Sequence, residues 1–283
     1  MYLIFGESPG KDSPQVGKFR LLELSAVEKG VICDTVSQTT SNSTFSLKAM
    51  AHDNLSTEEI KRASQLLSAQ DKAVALFEEI ERDLIRPGIT EKTLNAEIYQ
   101  LGLDRYGIKT HWHKRVIRSG PNTLSPFSDN PPDRVIQPDD ILVVDLGPVF
   151  EAWEADFGRT FVLGDDPNKK KLRDALEPIW NTVKAKYREN PDMSGDELYN
   201  ISCQVAKQEG WDFGADIAGH LVGSFPHERI PRDRISLYIA KGNNDSMGLS
   251  GRDGFKRHWI LEIHLHDRAR GFGGFYEQLL TVG

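Results

Sequence analysis

The order of its segments constrains this chain most: from residue 56 onward it reads helix, helix, strands, and then repeats that order to the C-terminus. Ile60, Ala63, Leu67, Val74, Phe77, Ile80 and Leu84 recur at helical spacing until Arg86-Pro87-Gly88 interrupts them. Ser56 and Glu59 have the spacing of a capping box and predict where that helix starts. Leu94, Ile98 and Leu101 predict a second helix. KRVIRSG, ILVVDLG and EADFGRTFVLG then follow, rich in β-branched and aromatic residues as strands require. In the second half a helix carries Leu172, Leu176, Ile179 and Val183, and another runs from Ser194 and Glu197 to Gly210. The strands GHLVGSF, HWILEIHLHD and YEQLLTVG close the chain, and Gly271-Phe272-Gly273-Gly274 is expected to be a turn. Elements segregated in this way, twice, predict an internally duplicated α+β domain.

Residues 1–55 are expected to form an N-terminal extension, because the polar stretch SQTTSNSTFS has no apolar face and predicts a loose arm. The duplicated domain is then 56–283. A formal charge of −7 argues against binding nucleic acid through its phosphates. Two cysteines, Cys33 and Cys203, are too few for a disulfide framework or a cysteine-rich zinc site. No run approaches the roughly 18 apolar residues of a membrane span. MYLIF is too short for a signal-peptide core and is followed by Gly6 and Glu7. These features predict a cytoplasmic protein with neither membrane nor nucleic acid as partner.

Asp145 closes the run ILVVD, and Asp156 opens DFGRTF eleven residues later. A turn near Phe150-Glu151 would set them opposite each other on adjacent antiparallel strands. Carboxylates facing at about 4.5–5.5 Å repel, so such a pair calls for a bridging cation or a shared proton. Replacing one with asparagine should then relieve strain in protein stripped of metal. Glu262 and Glu277 form a second pair in the second half, and His220 in AGHLVG adds an imidazole. Four carboxylates and one histidine suit two clustered divalent ions such as Mn, Co, Fe or Zn.

Taken in order, Asp145, Asp156, His220, Glu262 and Glu277, in the texts VVDLG, ADFGRTF, GHLVG, LEIH and YEQLLTV, resemble the pita-bread metallopeptidase family. That family includes methionine aminopeptidase, aminopeptidase P, prolidase and creatinase. IRSGPNTL and DFGRTFVLG resemble the aminopeptidase P and prolidase branch most. The resemblance implies a pita-bread fold, two duplicated halves around a curved antiparallel sheet, with those five residues as metal ligands. It implies a hydrolase, an aminopeptidase or dipeptidase of Xaa-Pro type, in which a hydroxide bridging both ions attacks a small peptide or amide. Glu262 would also shuttle the proton, and His227, seven residues after His220, would stabilise charge on the substrate carbonyl. A homodimer is compatible with this branch. A binding protein that keeps the fold without catalysis, or a hydrolase of a small non-peptide C–N bond, are the alternatives.

Three departures from the family pattern stand out. Phe127 occupies the place of a histidine that assists the leaving group, and FYEQ lacks the Arg and Asp that often flank the last glutamate. Only about 55 residues precede the domain. His113, His264 and His111, in that order, are the expected substitutes for the missing imidazole. His111 and His113 flank Trp112 on the segment entering KRVIRSG, the first-half counterpart of the strand bearing His220, and His264 shares a strand face with Glu262.

Overall fold

The computed structural model describes residues 39–228 and 235–283, with side chains from residue 57 onward, so Cys33 and MYLIF lie outside the described residues. Residues Met50–Gly283 form one compact unit. Helix α1 (Thr39–Glu79) passes through the expected start at Ser56 without a break and ends in a π-helical turn, Ile80–Leu84. No capping box forms, because Ser56 lies inside the helix; Glu59 instead lies 2.6 Å from both His258 Nε2 and Arg62. Helix also covers Thr39–Ser46, where a loose arm is expected from composition. Once a helix is nucleated, each further residue adds a hydrogen bond at small cost. The buried stripe is Leu66, Ala69, Ala73, Leu76, Phe77 and Ile80, whereas Ile60 is 69% exposed. The sequence pattern therefore follows the edge of the true apolar face.

Helix α2 (Glu91–Tyr106) is capped by Thr90, whose side chain accepts from the amide of Thr93, and stops at Gly107 in the left-handed region. The first-half strands are β1 (Val116–Ser119), β2 (Ile141–Leu146), a small hairpin of β3 (Val149–Phe150) and β4 (Trp153–Glu154), and β5 (Phe157–Val162). Helices α3 (Pro167–Glu189) and α4 (Gly195–Gln208) open the second half, the latter capped by Ser194 as its sequence predicts. Strands β6 (Asp212–Phe213), β7 (Ile217–Val222), β8 (Tyr238–Ala240), β9 (His258–Asp267) and β10 (Phe272–Leu279) follow.

The main sheet runs β1-β2-β5-β10-β9-β7-β8, with β6 beside β9. From either end of β1–β7 the order is the same, so β1, β2 and β5 correspond to β7, β9 and β10. The duplication read from the sequence is thus a pseudo-twofold relation about the β5–β10 join. Trp259, Leu261, Ile263 and Leu265 of β9 enter a core with Leu172, Leu176, Ile179 and Trp180 of α3. Phe77 of α1, Leu94 and Ile98 of α2 and Leu142, Val144 and Phe157 form its first-half counterpart. A fully buried side chain of this size contributes about 1.5–3 kcal/mol. The alternate residues of β9, Glu262, His264 and His266, face the other side of the sheet.

The expected turn at Gly271–Gly274 is instead mostly strand, since β10 begins at Phe272. Its glycines admit neighbours: a Cβ on Gly274 would lie 2.4 Å from Leu172 Cδ2. The turn itself ends at Gly271, whose φ is 77°.

Candidate metal centre

Register, more than the hairpin, assembles the carboxylates. Asp145 lies opposite Gly158, Gly158 opposite Glu277, and Glu277 opposite Glu262, a line across β2, β5, β10 and β9. The directly opposed acidic pair is therefore Glu262 and Glu277, not Asp145 and Asp156. Asp156 sits just ahead of β5, two residues off the line, because the two-residue turn of the β3–β4 hairpin falls on Glu151 (φ 58°) and Ala152, one residue later than expected. Gly158 is required where it stands: a Cβ there would come within 2.2 Å of Phe275 Cε1 and 3.2 Å of Glu277 Cβ. Gly158→Ala is expected to cost about 1–3 kcal/mol through overpacking and to weaken metal uptake by pushing Glu277 aside. Thermal melts with and without added Mn²⁺ check both effects.

Two groups of potential ligands share Asp156. One is His113, Asp145 and Asp156, the other Asp156, His220 and Glu277, and within each the ligand atoms lie within 4.8 Å of one another. His113 Nε2 is 3.1 Å from Asp156 Oδ1 and 3.5 Å from Asp145 Oδ1. His220 Nε2 is 2.9 Å from Asp156 Oδ2 and 3.7 Å from Glu277 Oε1. Asp145 Oδ1, Glu262 Oε1 and Glu277 Oε2 are buried with no hydrogen-bond partner. Unpaired carboxylate oxygens are costly in a protein interior, and hard oxygen donors with two imidazoles are the chemistry that divalent ions take up. The residues fit such ions.

Left to protons alone, the cluster is strained. Burial pushes Asp145 up to about 7 against the charge of His113, with Asp156 and Glu262 adding to the rise. Burial and the charge of Asp156 hold Glu277 well above the carboxylate range. Burial would raise Asp156 too, but His113 and the hydrogen bonds from His113 and His220 outweigh it and hold it below that range. Burial opposes charge on His113, yet Asp145 and Asp156 bring it to about 9. Divalent ions would replace those protons.

The other expected site residues lie as follows. His227 Nδ1 is 2.8 Å from Glu154 Oε2 and its amide donates to Glu154 Oε1. His264 Nε2 is 2.8 Å from Glu262 Oε2, and its ring lies tilted against Phe275, with centroids 4.5 Å apart. His111 is not brought to the carboxylates: it bridges to Pro148, and its ring lies 6.5 Å from that of Tyr99. Phe127 is 52% exposed, its ring 5.8 Å from that of His113.

Three contributors escape the sequence reading. Trp112 sets its ring edge-on to His113, His220 and His227, at 4.5, 4.9 and 5.3 Å. Glu154 is 1% exposed and binds His227, and its spacing of two from Asp156 is the signal that could have marked it. Arg159, between the rings of Phe157 and Tyr276, donates to the carbonyl of Glu277 and to Gln278 Oε1. It braces the last glutamate in a sequence that lacks the usual flanking Arg and Asp.

His266, on the same face, has a buried Nδ1 with no partner, and burial, with the charges of His264 and Arg268, lowers it to about 4. The unfolded chain takes that proton near 6.5, so this stabilisation is present above pH 6.5 and is lost as pH falls towards 4. His266→Gln is expected to flatten that part of the stability profile. Denaturant midpoints of both proteins from pH 7.5 to 4.5 measure it.

Residues 64–249 match metallopeptidase family M24. The chain is 31% identical over 184 residues to an Xaa-Pro dipeptidase of Pyrococcus furiosus, covering 64% of this chain and 49% of that protein. It is 26% identical over 178 residues to an Xaa-Pro dipeptidase of Lactobacillus helveticus, covering 60% and 45%. The chain thus spans about half the length of these relatives. The fold matches a prolidase from Thermococcus sibiricus with a TM-score of 0.61 at 20% identity, covering 80% of this chain and 57% of that one. It matches an X-Pro aminopeptidase from Thermotoga maritima with a TM-score of 0.58 at 20% identity, covering 80% and 62%. The fold is therefore the α+β pita-bread fold expected from the sequence. The chain belongs to metallopeptidase family M24. Glu262 and Glu277 lie beyond the matched residues, so their place at the centre rests on the strand register.

Proposed function

We propose that this chain is a dimetal-dependent peptidase, an aminopeptidase or dipeptidase cleaving Xaa-Pro bonds, with its catalytic domain in residues 56–283. The observation that carries this reading is the line of three buried carboxylates, on β2, β10 and β9, each with an oxygen left without a hydrogen-bond partner. Asp145, Asp156, His220, Glu262 and Glu277 would hold two ions, Mn, Co, Fe or Zn. When bound, such ions activate water at neutral pH and polarise the scissile carbonyl.

The chain's own residues supply the rest. His227, held through Nδ1 by the Glu154 carboxylate, would donate from a protonated Nε2 to negative charge developing on the substrate carbonyl. Glu262, whose Oε2 meets His264, takes and returns a proton. A cavity lined by Arg62, Glu228, Arg252, Asp253, Lys256 and Arg257 also reaches His227 and gives a peptide's polar end a place beside it. Among the described residues no helix is long and apolar enough to cross a membrane, which agrees with a cytoplasmic site of action. A homodimer agrees with the same reading.

The test is metal analysis of purified protein together with turnover of a small panel of Xaa-Pro and Met-containing peptides. Near two ions per chain and selective Xaa-Pro cleavage are expected; absence of both would overturn the reading. Phe127 favours one competitor, a metal-loaded binding protein, which would show two ions and no turnover on any peptide.

A further inference from the structure

His113 reaches the centre in the same manner as His220. Its Nδ1 is 2.6 Å from the carbonyl oxygen of Lys114, the next residue, and His220 Nδ1 is 2.9 Å from that of Leu221, also the next residue. An Nδ1–H donating to a carbonyl leaves the Nε2 lone pair outward, the arrangement by which metal-bound imidazoles are oriented. In both residues Nε2 then points at a pair of carboxylate oxygens. Two acceptors facing a lone pair repel unless a proton or a cation lies between them. Trp112 packs edge-on to both imidazoles. Gly147 makes room for this: a Cβ there would lie 2.2 Å from His113 Cδ2 and 2.5 Å from Trp112 Nε1.

We infer that His113 is a sixth protein ligand beside the five proposed above: with Asp145 and Asp156 it would hold one ion, while Asp156, His220 and Glu277, with Glu262 opposite Glu277, would hold the other. This rests on the dimetal reading above and assigns each ion one imidazole, with Asp156 common to both. It differs from the role that Phe127 would otherwise leave to His113. A histidine serving only the leaving group can be removed with metal binding intact, whereas a ligand cannot.

The experiment is titration of metal-stripped protein with Co²⁺, followed by calorimetry and by the visible absorption of the bound ion. In wild type two ions bind. His113→Ala is expected to weaken one binding step by more than the roughly 10–100-fold that loss of an outer-shell partner costs, and to change the Co²⁺ spectrum. His113→Asp, which restores an oxygen donor, should recover the second ion with a spectrum poorer in nitrogen character. Electron spin-echo measurements on the Mn²⁺-loaded wild type, independent of any variant's folding, should count two coordinated imidazole nitrogens. A single coordinated nitrogen, or His113→Ala binding both ions with wild-type affinity and spectrum, would overturn the inference while leaving the dimetal reading intact. Wild type that takes up no ion would overturn both.

Discussion

Asp156→Asn is expected to give a folded protein that no longer takes up two divalent ions or hydrolyses an Xaa-Pro dipeptide at a measurable rate. Asp156 is the one residue common to both ligand groups, so its loss disables each. Wild type at a metal concentration a hundredfold above Kd should gain about 2.7 kcal/mol from binding, and the variant should gain little of it. The structure also reverses the sequence-based expectation that the substitution relieves strain in metal-stripped protein. Asp156 lies between His113 and His220, 3.1 and 2.9 Å away, and its negative charge holds both imidazoles. Hydrogen bonds to a charged group contribute about 1.5–3 kcal/mol each, so the stripped variant should be less stable than stripped wild type. Metal content, denaturant midpoints with and without chelator, and steady-state rates decide the matter. Wild-type metal content with wild-type turnover would remove Asp156 from the ligand set.

The second large effect is expected at His227. His227→Ala should lower kcat by about 10²–10³-fold, the usual loss when one donor to a developing oxyanion is removed, with both ions retained. Its anchor is Glu154, which accepts from the amides of Gly223 and His227 and meets the imidazole at Nδ1. Glu154→Ala should therefore reproduce part of the kcat loss without touching a proposed ligand, because His227 then loses its orientation. Rates and metal content of both variants are the measurement. Unchanged kcat in His227→Ala, with full metal loading, would show that the carbonyl is stabilised elsewhere.

Much of the architecture follows from local chemistry. Apolar spacing marks α2, α3 and α4, Ser194 and Thr90 cap where their side chains can reach a free amide, and β-branched runs mark β1, β2 and β5. The duplication is legible because each half repeats the same order of elements. The partner of Glu59 is not legible, because His258 lies 199 residues away and no local rule reports it. The strand beginning at Phe272 is hidden for a related reason: Gly273 and Gly274 look like a turn until Leu172, His266 and Thr123 are seen to need the space.

Residue types and their order along the chain marked the candidate ligands, since acidic residues inside apolar strand text need a partner that the strand itself cannot supply. How those residues meet was decided by tertiary structure. Register placed Glu262 opposite Glu277 and Asp145 opposite Gly158, and a tight turn one residue later than expected, at Glu151-Ala152, moved Asp156 off that line. The sequence could rank His113, His264 and His111 by strand correspondence and shared face, but which groups each one meets was beyond it. Folding set His113 against two aspartates, His264 against Glu262, and His111 beside Pro148 and Tyr99. A sequence records which side chains can bind a cation, whereas only the pairing of distant strands fixes which of their atoms stand a few ångströms apart.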